Sequence, residues 1–172
     1  MSQNNLKDLE KLKSVLRYLS THNILTMATA SKNGEPNATA LEYANKGLIV
    51  YVSVFINSQK IKFIKENPKV FYEIHDDIKI EKESLKKLEA LQVSAEPFIL
   101  DYNNPADKEE YESAFKIMME KYPIFAKLNK KKRVILKFIP KTIFYLNYRD
   151  KLFHRDVIPL NLSEEDLLNL TI

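Results

Sequence analysis

Hydrophobic residues near the start of the chain recur every three to four positions. This spacing, within residues 5–20, predicts an amphipathic helix whose apolar stripe faces a core. The members of the stripe are Leu6, Leu9, Leu12, Leu16 and Leu19. His22-Asn23 is predicted to end the helix.

Beyond this helix the pattern changes to short runs of strand-forming residues separated by turn signals. Residues 24–30, 37–43 and 48–54 are three consecutive runs of this kind. Asn33-Gly34, between the first two, favours a hairpin, because both residues tolerate positive backbone dihedrals. The three runs are predicted to form an antiparallel meander. Further strands are predicted at residues 69–75, 91–100, 134–139 and 142–148.

Helices are predicted between some of these strands. Asn57 or Ser58 can cap a short helix that runs to Glu66, and Asn104-Pro105 begins a helix near residues 105–121. Ser163 begins a short C-terminal helix, and residues 78–88 are predicted to form a loop or a poorly ordered strand. The elements together predict a mainly β protein with inserted helices, built as one domain over residues 1–172 around a small closed antiparallel barrel.

Length and composition limit the classes of protein that remain. A chain of 172 residues with 45% hydrophobic and 29% charged residues suits one soluble domain. No apolar run approaches the roughly 18 residues of a membrane span, and residues 1–5 lack the features of a secretory signal. The absence of cysteine excludes disulfides, thiolate metal sites and cysteine nucleophiles, and it suits a cytoplasmic protein.

Charge is distributed unevenly around a net value of +4. Lys121 to Arg149 contains nine basic residues and no acid, whereas Asp101 to Glu120 contains six acids and two lysines. Such neighbouring segments usually form two solvated surfaces, and a phosphate-bearing or polyanionic ligand is the alternative. The basic cluster Lys130 to Arg133 is interpreted as a solvated turn, so no nucleic-acid partner is expected.

Few residues carry a recognisable chemical motif. The three histidines have no metal-ligand spacing, so no metal site is predicted, and no catalytic side chain is identified. Ser58-Gln59-Lys60, however, lies where a strand ends and a helix begins. Free backbone donors, a hydroxyl and a lysine at a helix N-terminus suit a phosphate monoester; an ordinary N-cap among surface residues is the alternative interpretation.

Several of these features, in this order, resemble one known family. Ala28-Thr29-Ala30 is followed by Asn33 to Pro36, by Ser58-Gln59-Lys60, by Glu66 to Val70 and by Gln92 to Ala95. This order and spacing resemble the pyridoxamine 5′-phosphate oxidase-like family of FMN-binding split barrels. The likeness extends through the acidic helix and the closing strands, and so covers most of the chain.

The resemblance implies a six-stranded antiparallel split β-barrel that binds FMN. It also implies a homodimer with two flavin sites at the subunit interface. The resemblance also implies which residues form the site. Three residues of the second strand face the isoalloxazine ring, and a group of three others binds the phosphate. Ser53 lies near the flavin, and Gln92 reaches the flavin from across the dimer. The second-strand residues are Thr39, Ala40 and Leu41, and the phosphate group is Ser58, Gln59 and Lys60.

The chain also departs from the family pattern. It has Gln59 where the family commonly has arginine, and Thr39 and Ala44 where the second strand has arginine and lysine. The C-terminal tryptophan and substrate-binding arginine motif are absent. The sequence therefore predicts a divergent flavoprotein, an oxidoreductase acting on an unidentified small molecule, rather than a true pyridoxamine 5′-phosphate oxidase.

Other functions on the same barrel are open alternatives. One is a non-enzymatic stress-type protein that binds flavin or haem, with His22, His75 or His154 as the available haem ligands. A nucleic-acid-binding barrel is more distant. Phe153-His154-Arg155 is predicted either to lie near the flavin or to form an exposed loop.

Overall fold

One antiparallel sheet of eight strands, with helices packed against it, dominates the computed structural model, which describes residues 3–149 and 151–171. Predictions for Met1, Ser2, Asp150 and Ile172, and for the side chains of Leu6 and Leu9, lie outside the described residues. The helices are α1 (Gln3–Thr21), α2 (Gln59–Glu66), α3 (Lys82–Leu85), α4 (Lys108–Lys121) and α5 (Glu164–Asn169). The strands are β1 (Ile24–Ala30), β2 (Pro36–Glu42), β3 (Ala44–Lys46), β4 (Ile49–Phe55), β5 (Val70–His75), β6 (Glu89–Asp101), β7 (Arg133–Asn147) and β8 (Arg155–Pro159).

The order of strands in the sheet is β2-β1-β5-β6-β7-β4-β3, with β8 paired to β7. The sheet curls until β2 approaches β4, which gives the split barrel and confirms the predicted mainly β fold. The strand count is eight rather than six, because β3 and β8 add short pairings at the margins. β3 occupies a segment that was predicted as a turn, and β8 begins at Arg155.

The predicted meander of the first three long strands is wrong. β2 pairs with β1 but not with β4, which lies between β7 and β3. The physical reason is burial. Small and polar residues leave β2 half-exposed along its length, which suits the end of a sheet, whereas the apolar β4 is buried on both faces from Ile49 to Val54 and needs neighbours on both sides.

Three predicted boundaries also change. Residues 134–139 and 142–148 form the single strand β7, because Pro140 lies at a register shift opposite Ala95 and so interrupts no regular ladder bond. The ambiguous segment 78–88 contains the short helix α3. Turns at Asn104 and Asp107 delay the start of α4 to Lys108.

Helices α1, α2, α4 and α5 each contribute side chains to the core. α1 places Leu12, Leu16 and Leu19 in the core, as the leucine stripe predicts. α2 packs on β1 and buries Ile61 and Ile64. This packing fixes the N-terminus of α2 at the end of β4, where the predicted phosphate-binding residues lie.

The C-terminal helix is held against the turn that precedes β4. Gly47 has a φ of +53°, and a Cβ atom there would lie 2.0 Å from the carbonyl oxygen of Leu167. Leu48 N–H donates a hydrogen bond of 3.0 Å to that same oxygen. The capping box of Ser163 and Asp166 confirms the predicted start of α5. Across the described part of the chain, no helix is both long and apolar enough to cross a membrane.

Candidate functional site

The turn between β4 and α2 holds a buried hydroxyl group that has no hydrogen-bond partner among the described residues. Ser58 is the N-cap residue of α2, but its side chain makes no capping bond. Its Oγ atom is shielded from solvent and unpartnered within the described residues. A buried hydroxyl in this state costs free energy that an incoming acceptor would recover. Ser58 therefore occupies the predicted position, with its side chain available rather than engaged as a cap.

A second polar group reaches this turn from β7. Arg133 is the first residue of β7 and pairs with Phe55, the last residue of β4. Its Nε donates to Ser53 Oγ at 2.8 Å, and its Nη2 donates to the Ser53 carbonyl oxygen at 2.7 Å. The guanidinium carbon lies 4.5 Å from the centroid of the Phe55 ring. These contacts hold the Arg133 side chain across the end of β4.

Lys60, on the first turn of α2, lies in the field of Arg133. Burial lowers the pKa of Lys60, and the positive charge of Arg133 lowers it further. Burial also lowers the pKa of Arg133, while Tyr111 and Glu42 oppose that shift. Among the residues with described side chains, no carboxylate lies within 4.0 Å of either cation. The region is therefore positive and suits an anion.

An open cleft of about 650 Å³ adjoins this turn. Its lining includes Phe55, Asn57 and Ser58 from the end of β4 and the following turn, and Lys131 and Lys132 from the segment before β7. Gln59 is exposed at the first position of α2. The aromatic ring and the lysines make the cleft partly apolar and positively charged, which suits a ligand that joins a ring to an acidic group.

The predicted second-strand residues lie on β2, at one end of the sheet. Thr39 is half-exposed, and its Oγ1 donates to Asn37 Oδ1 at 3.1 Å. Ala40 is exposed, whereas Leu41 packs partly against the core. β2 bonds only to β1 within the described sheet, so its outer edge has backbone groups available to a ligand or to another chain.

Gln92 lies elsewhere, on the outward face of β6. Its Oε1 accepts a hydrogen bond of 3.1 Å from Arg155 Nη1. Its cross-strand partner on β7 is Phe144, whereas the partner of Ser53 is Ile135. Those two positions are nine residues apart, about 30 Å of extended strand. One chain therefore does not bring Gln92 to the Ser53–Ser58–Lys60 group.

The outward face that carries Gln92 is broad and partly apolar. Register aligns one residue from each of six strands in a row, namely Ala40, Thr26, Glu73, Gln92, Phe144 and Val157. The next row includes Phe71, whose ring centroid lies 6.0 Å from that of Phe144. Phe71 is 38% exposed and Val157 57% exposed. Such a face on a small domain is typical of a contact surface.

Two arginines that contact predicted site residues, Arg133 and Arg155, receive no specific role from the sequence. In the sequence, Arg133 is only the end of a basic cluster, because the pairing of β4 with β7 spans some eighty residues and leaves no local signal. Arg155 belongs to the segment Phe153-His154-Arg155, which the sequence predicts either to lie near the flavin or to form an exposed loop. It begins β8, and its guanidinium lies 4.7 Å from the Phe144 ring centroid, beside Gln92.

Solved structures with the same fold carry several descriptions. A haem-binding protein from Mycobacterium smegmatis aligns with a TM-score of 0.67 at 13% identity, over 88% of this chain and 57% of that one. A Clostridium acetobutylicum protein related to general stress protein 26, of the pyridoxine phosphate oxidase family, aligns with a TM-score of 0.64 at 18% identity, over 89% of this chain and 96% of that one. The haem storage protein of Vibrio cholerae aligns with a TM-score of 0.60 at 14% identity, over 76% of this chain and 91% of that one. At these identities the likeness shows the fold alone.

Sequence comparison identifies the family. No curated protein sequence matches the chain. The family model described as pyridoxamine 5′-phosphate oxidase matches residues 10–147, which include every predicted site residue. The chain therefore belongs to the pyridoxamine 5′-phosphate oxidase family.

Proposed function

We propose that this protein binds FMN and acts as an oxidoreductase on a small molecule. The observation that carries the proposal is the buried Ser58 hydroxyl at the N-terminus of α2, which has no partner among the described residues, with Lys60 two residues further along the chain. A helix N-terminus favours a bound anion through its free backbone N–H groups and its dipole. Membership of the family and the likeness to a stress protein of the pyridoxine phosphate oxidase family support the choice of cofactor.

The residues present fit the phosphate end of FMN. Ser58 Oγ offers an unused donor, and Lys60 offers a cation without a carboxylate partner in the described part of the chain. Gln59, exposed beside them, can donate through its amide. The phosphate would be held by these side chains and by the backbone N–H groups of the first turn of α2.

The ring end of the cofactor would lie against β2. Thr39, Ala40 and Leu41 present small or partly apolar side chains there, and the outer edge of β2 offers backbone groups that can hydrogen-bond the ring. When bound, FMN would supply the electron-transfer chemistry. The chain would bind the phosphate, orient the ring and exclude water from one of its faces.

The first test is the visible absorption spectrum of the purified protein, with FMN titrated in if the protein is colourless. We expect flavin bands, release of FMN on denaturation, and bleaching of the bound flavin by an electron donor in the absence of oxygen. Bound flavin that no donor bleaches under turnover conditions would favour a non-enzymatic flavin-binding protein. A protein that neither contains nor takes up FMN would contradict the proposal.

Haem binding is the second candidate function, favoured by two solved structures of the same fold that are described as haem proteins. His75 and His154 have side chains 60% and 50% exposed, so both are accessible as ligands. His22 is less accessible, because its ring nitrogens already contact the Tyr18 carbonyl oxygen and Asp76. A Soret band on haem addition, abolished by a histidine substitution, would support this function instead.

We further propose that the protein is a homodimer with the flavin at the subunit interface. Within one chain, Gln92 and the Ser53–Ser58–Lys60 group lie far apart, so a site that uses both needs two chains. The outward face around Gln92 is partly apolar and half-exposed, and it includes Ala40 of β2 in the same row. A second copy packed on this face would complete the site.

A charge in the middle of this face should separate the subunits. Phe71→Glu is expected to give monomers in analytical ultracentrifugation where the wild-type protein gives dimers, because a buried, unpaired carboxylate opposes association. Ile80→Glu is the matched control, since Ile80 is 80% exposed outside this face. A monomeric wild-type protein, or a Phe71→Glu variant that still dimerises, would contradict the proposed interface.

A further inference from the structure

We infer that Arg133 binds the phosphate of FMN and that Ser53 holds the Arg133 side chain in position. Lys60 and Arg133 together then make the site select phosphorylated over unphosphorylated flavin. This inference rests on the proposed FMN binding. It gives Ser53 an indirect role, through Arg133, in place of the expected direct position near the flavin.

The contacts of Arg133 leave part of its guanidinium group available. A guanidinium carries five N–H donors in a planar arrangement. Within the described residues, Arg133 uses its Nε and one donor on Nη2, both on Ser53. A cation–π contact, 4.5 Å from the guanidinium carbon to the centroid of the Phe55 ring, adds a third restraint on the group. The remaining donors are therefore held in a defined orientation, which is what a phosphate requires of an arginine.

The charges around Arg133 also favour a bound anion. Lys60 and Arg133 are both half-buried, and the positive charge of Arg133 disfavours the charge of Lys60. Glu42, at the end of β2, influences Arg133 from beyond ion-pairing distance. A phosphate monoester carries a charge of about −1.5 to −2 at neutral pH. It would neutralise both cations at once, which a single carboxylate would not.

Backbone hydrogen bonds connect the turn that carries Ser58 to the start of β7, where Arg133 lies. Phe55 is opposite Arg133 in the ladder between β4 and β7. Ile56 N–H donates to the Lys132 carbonyl oxygen at 3.2 Å, and Ser58 N–H donates to the Phe55 carbonyl oxygen at 3.1 Å. The turn that carries the unpartnered Ser58 hydroxyl is thus anchored directly to the start of β7. The hydroxyl is independent evidence for a ligand at this place.

Comparison of FMN with riboflavin isolates the phosphate contribution. We expect Arg133→Met to raise the Kd for FMN by at least about tenfold, because a charge-assisted hydrogen bond is lost, and to leave the Kd for riboflavin within about twofold. Arg133→Lys keeps the charge but not the planar donors, so we expect a smaller rise. Ser53→Ala should weaken FMN binding by a few-fold, again without affecting riboflavin. Lys69→Met, which removes an exposed charge elsewhere, should change neither Kd.

The results distinguish failure of the inference from failure of the proposed function. If the wild-type protein binds FMN and Arg133→Met and Arg133→Lys bind it equally well, the inference is wrong and the proposed function stands. If the wild-type protein binds no flavin, the proposed function fails. The site is then tested with inorganic phosphate: a rise in the unfolding midpoint that Arg133→Met abolishes supports a phosphate site, and no rise overturns it. Circular dichroism checks that each variant is folded.

Discussion

The double variant Ser58→Ala/Lys60→Ala should bind FMN at least about a hundredfold more weakly than the wild-type protein. Each substitution removes a hydrogen bond to a charged phosphate, worth about 1.5–3 kcal/mol, and a factor of ten in Kd corresponds to about 1.4 kcal/mol. The two losses add to about 3 kcal/mol or more. Kd is measured by the change in flavin fluorescence or absorbance on titration.

The same variant should be at least as stable as the wild-type protein without ligand. Ser58→Ala removes a buried hydroxyl that has no partner within the described residues, and Lys60→Ala removes a half-buried cation that Arg133 disfavours. Weaker binding combined with unchanged or greater stability is the pattern expected of a functional site rather than of a structural one.

The control for this variant changes the same residue types at exposed positions. Ser20→Ala/Lys69→Ala removes one serine and one lysine from the surface, away from the turn that precedes α2. We expect its FMN affinity to equal that of the wild-type protein. Unchanged affinity in Ser58→Ala/Lys60→Ala as well would refute the assignment of the phosphate to this turn.

The elements that the sequence predicts correctly are those with local signals. The spacing of Leu12, Leu16 and Leu19 identifies α1, and Ser163 with Asp166 marks the start of α5. The Ser58 position follows from the same kind of signal, since a serine between a strand and an apolar helical repeat is a typical N-cap. The local sequence does not indicate that the Ser58 side chain makes no cap bond, which is seen only in the structure.

The pairing of strands is where prediction from the sequence fails. β4 follows β2 closely along the chain, and proximity in sequence favours pairing, yet β4 pairs with β7. The deciding factor is the burial of both faces of β4. The apolar run from Ile49 to Phe55 suggests such burial, but it does not indicate which strand pairs with β4. The sequence places Arg133 only at the end of a basic cluster for the same reason: its proximity to Ser53 is a consequence of that long-range pairing.

Replacing Glu89 by alanine should lower the free energy of unfolding by about 2 kcal/mol, because the substitution leaves the buried Tyr145 hydroxyl without its acceptor. The residue is 4% exposed. Its Oε1 accepts hydrogen bonds from Arg17 Nη2, at 2.9 Å, and from the Tyr145 hydroxyl. Its carbonyl oxygen accepts from the Tyr18 hydroxyl at 2.8 Å. Glu89 thus joins α1 to β6 and β7.

The measurement is urea unfolding monitored by circular dichroism, with two comparison variants. Glu83→Ala removes an exposed carboxylate that pairs with Lys86 at 3.3 Å, so its effect should stay within about 0.5 kcal/mol. Glu89→Gln keeps the size and an acceptor oxygen but not the charge, so its cost should be intermediate. A loss below about 1 kcal/mol for Glu89→Ala would contradict a structural role for the network. A confirmed loss would mean that Glu89 ties α1 and β7 to the start of β6, three residues before Gln92.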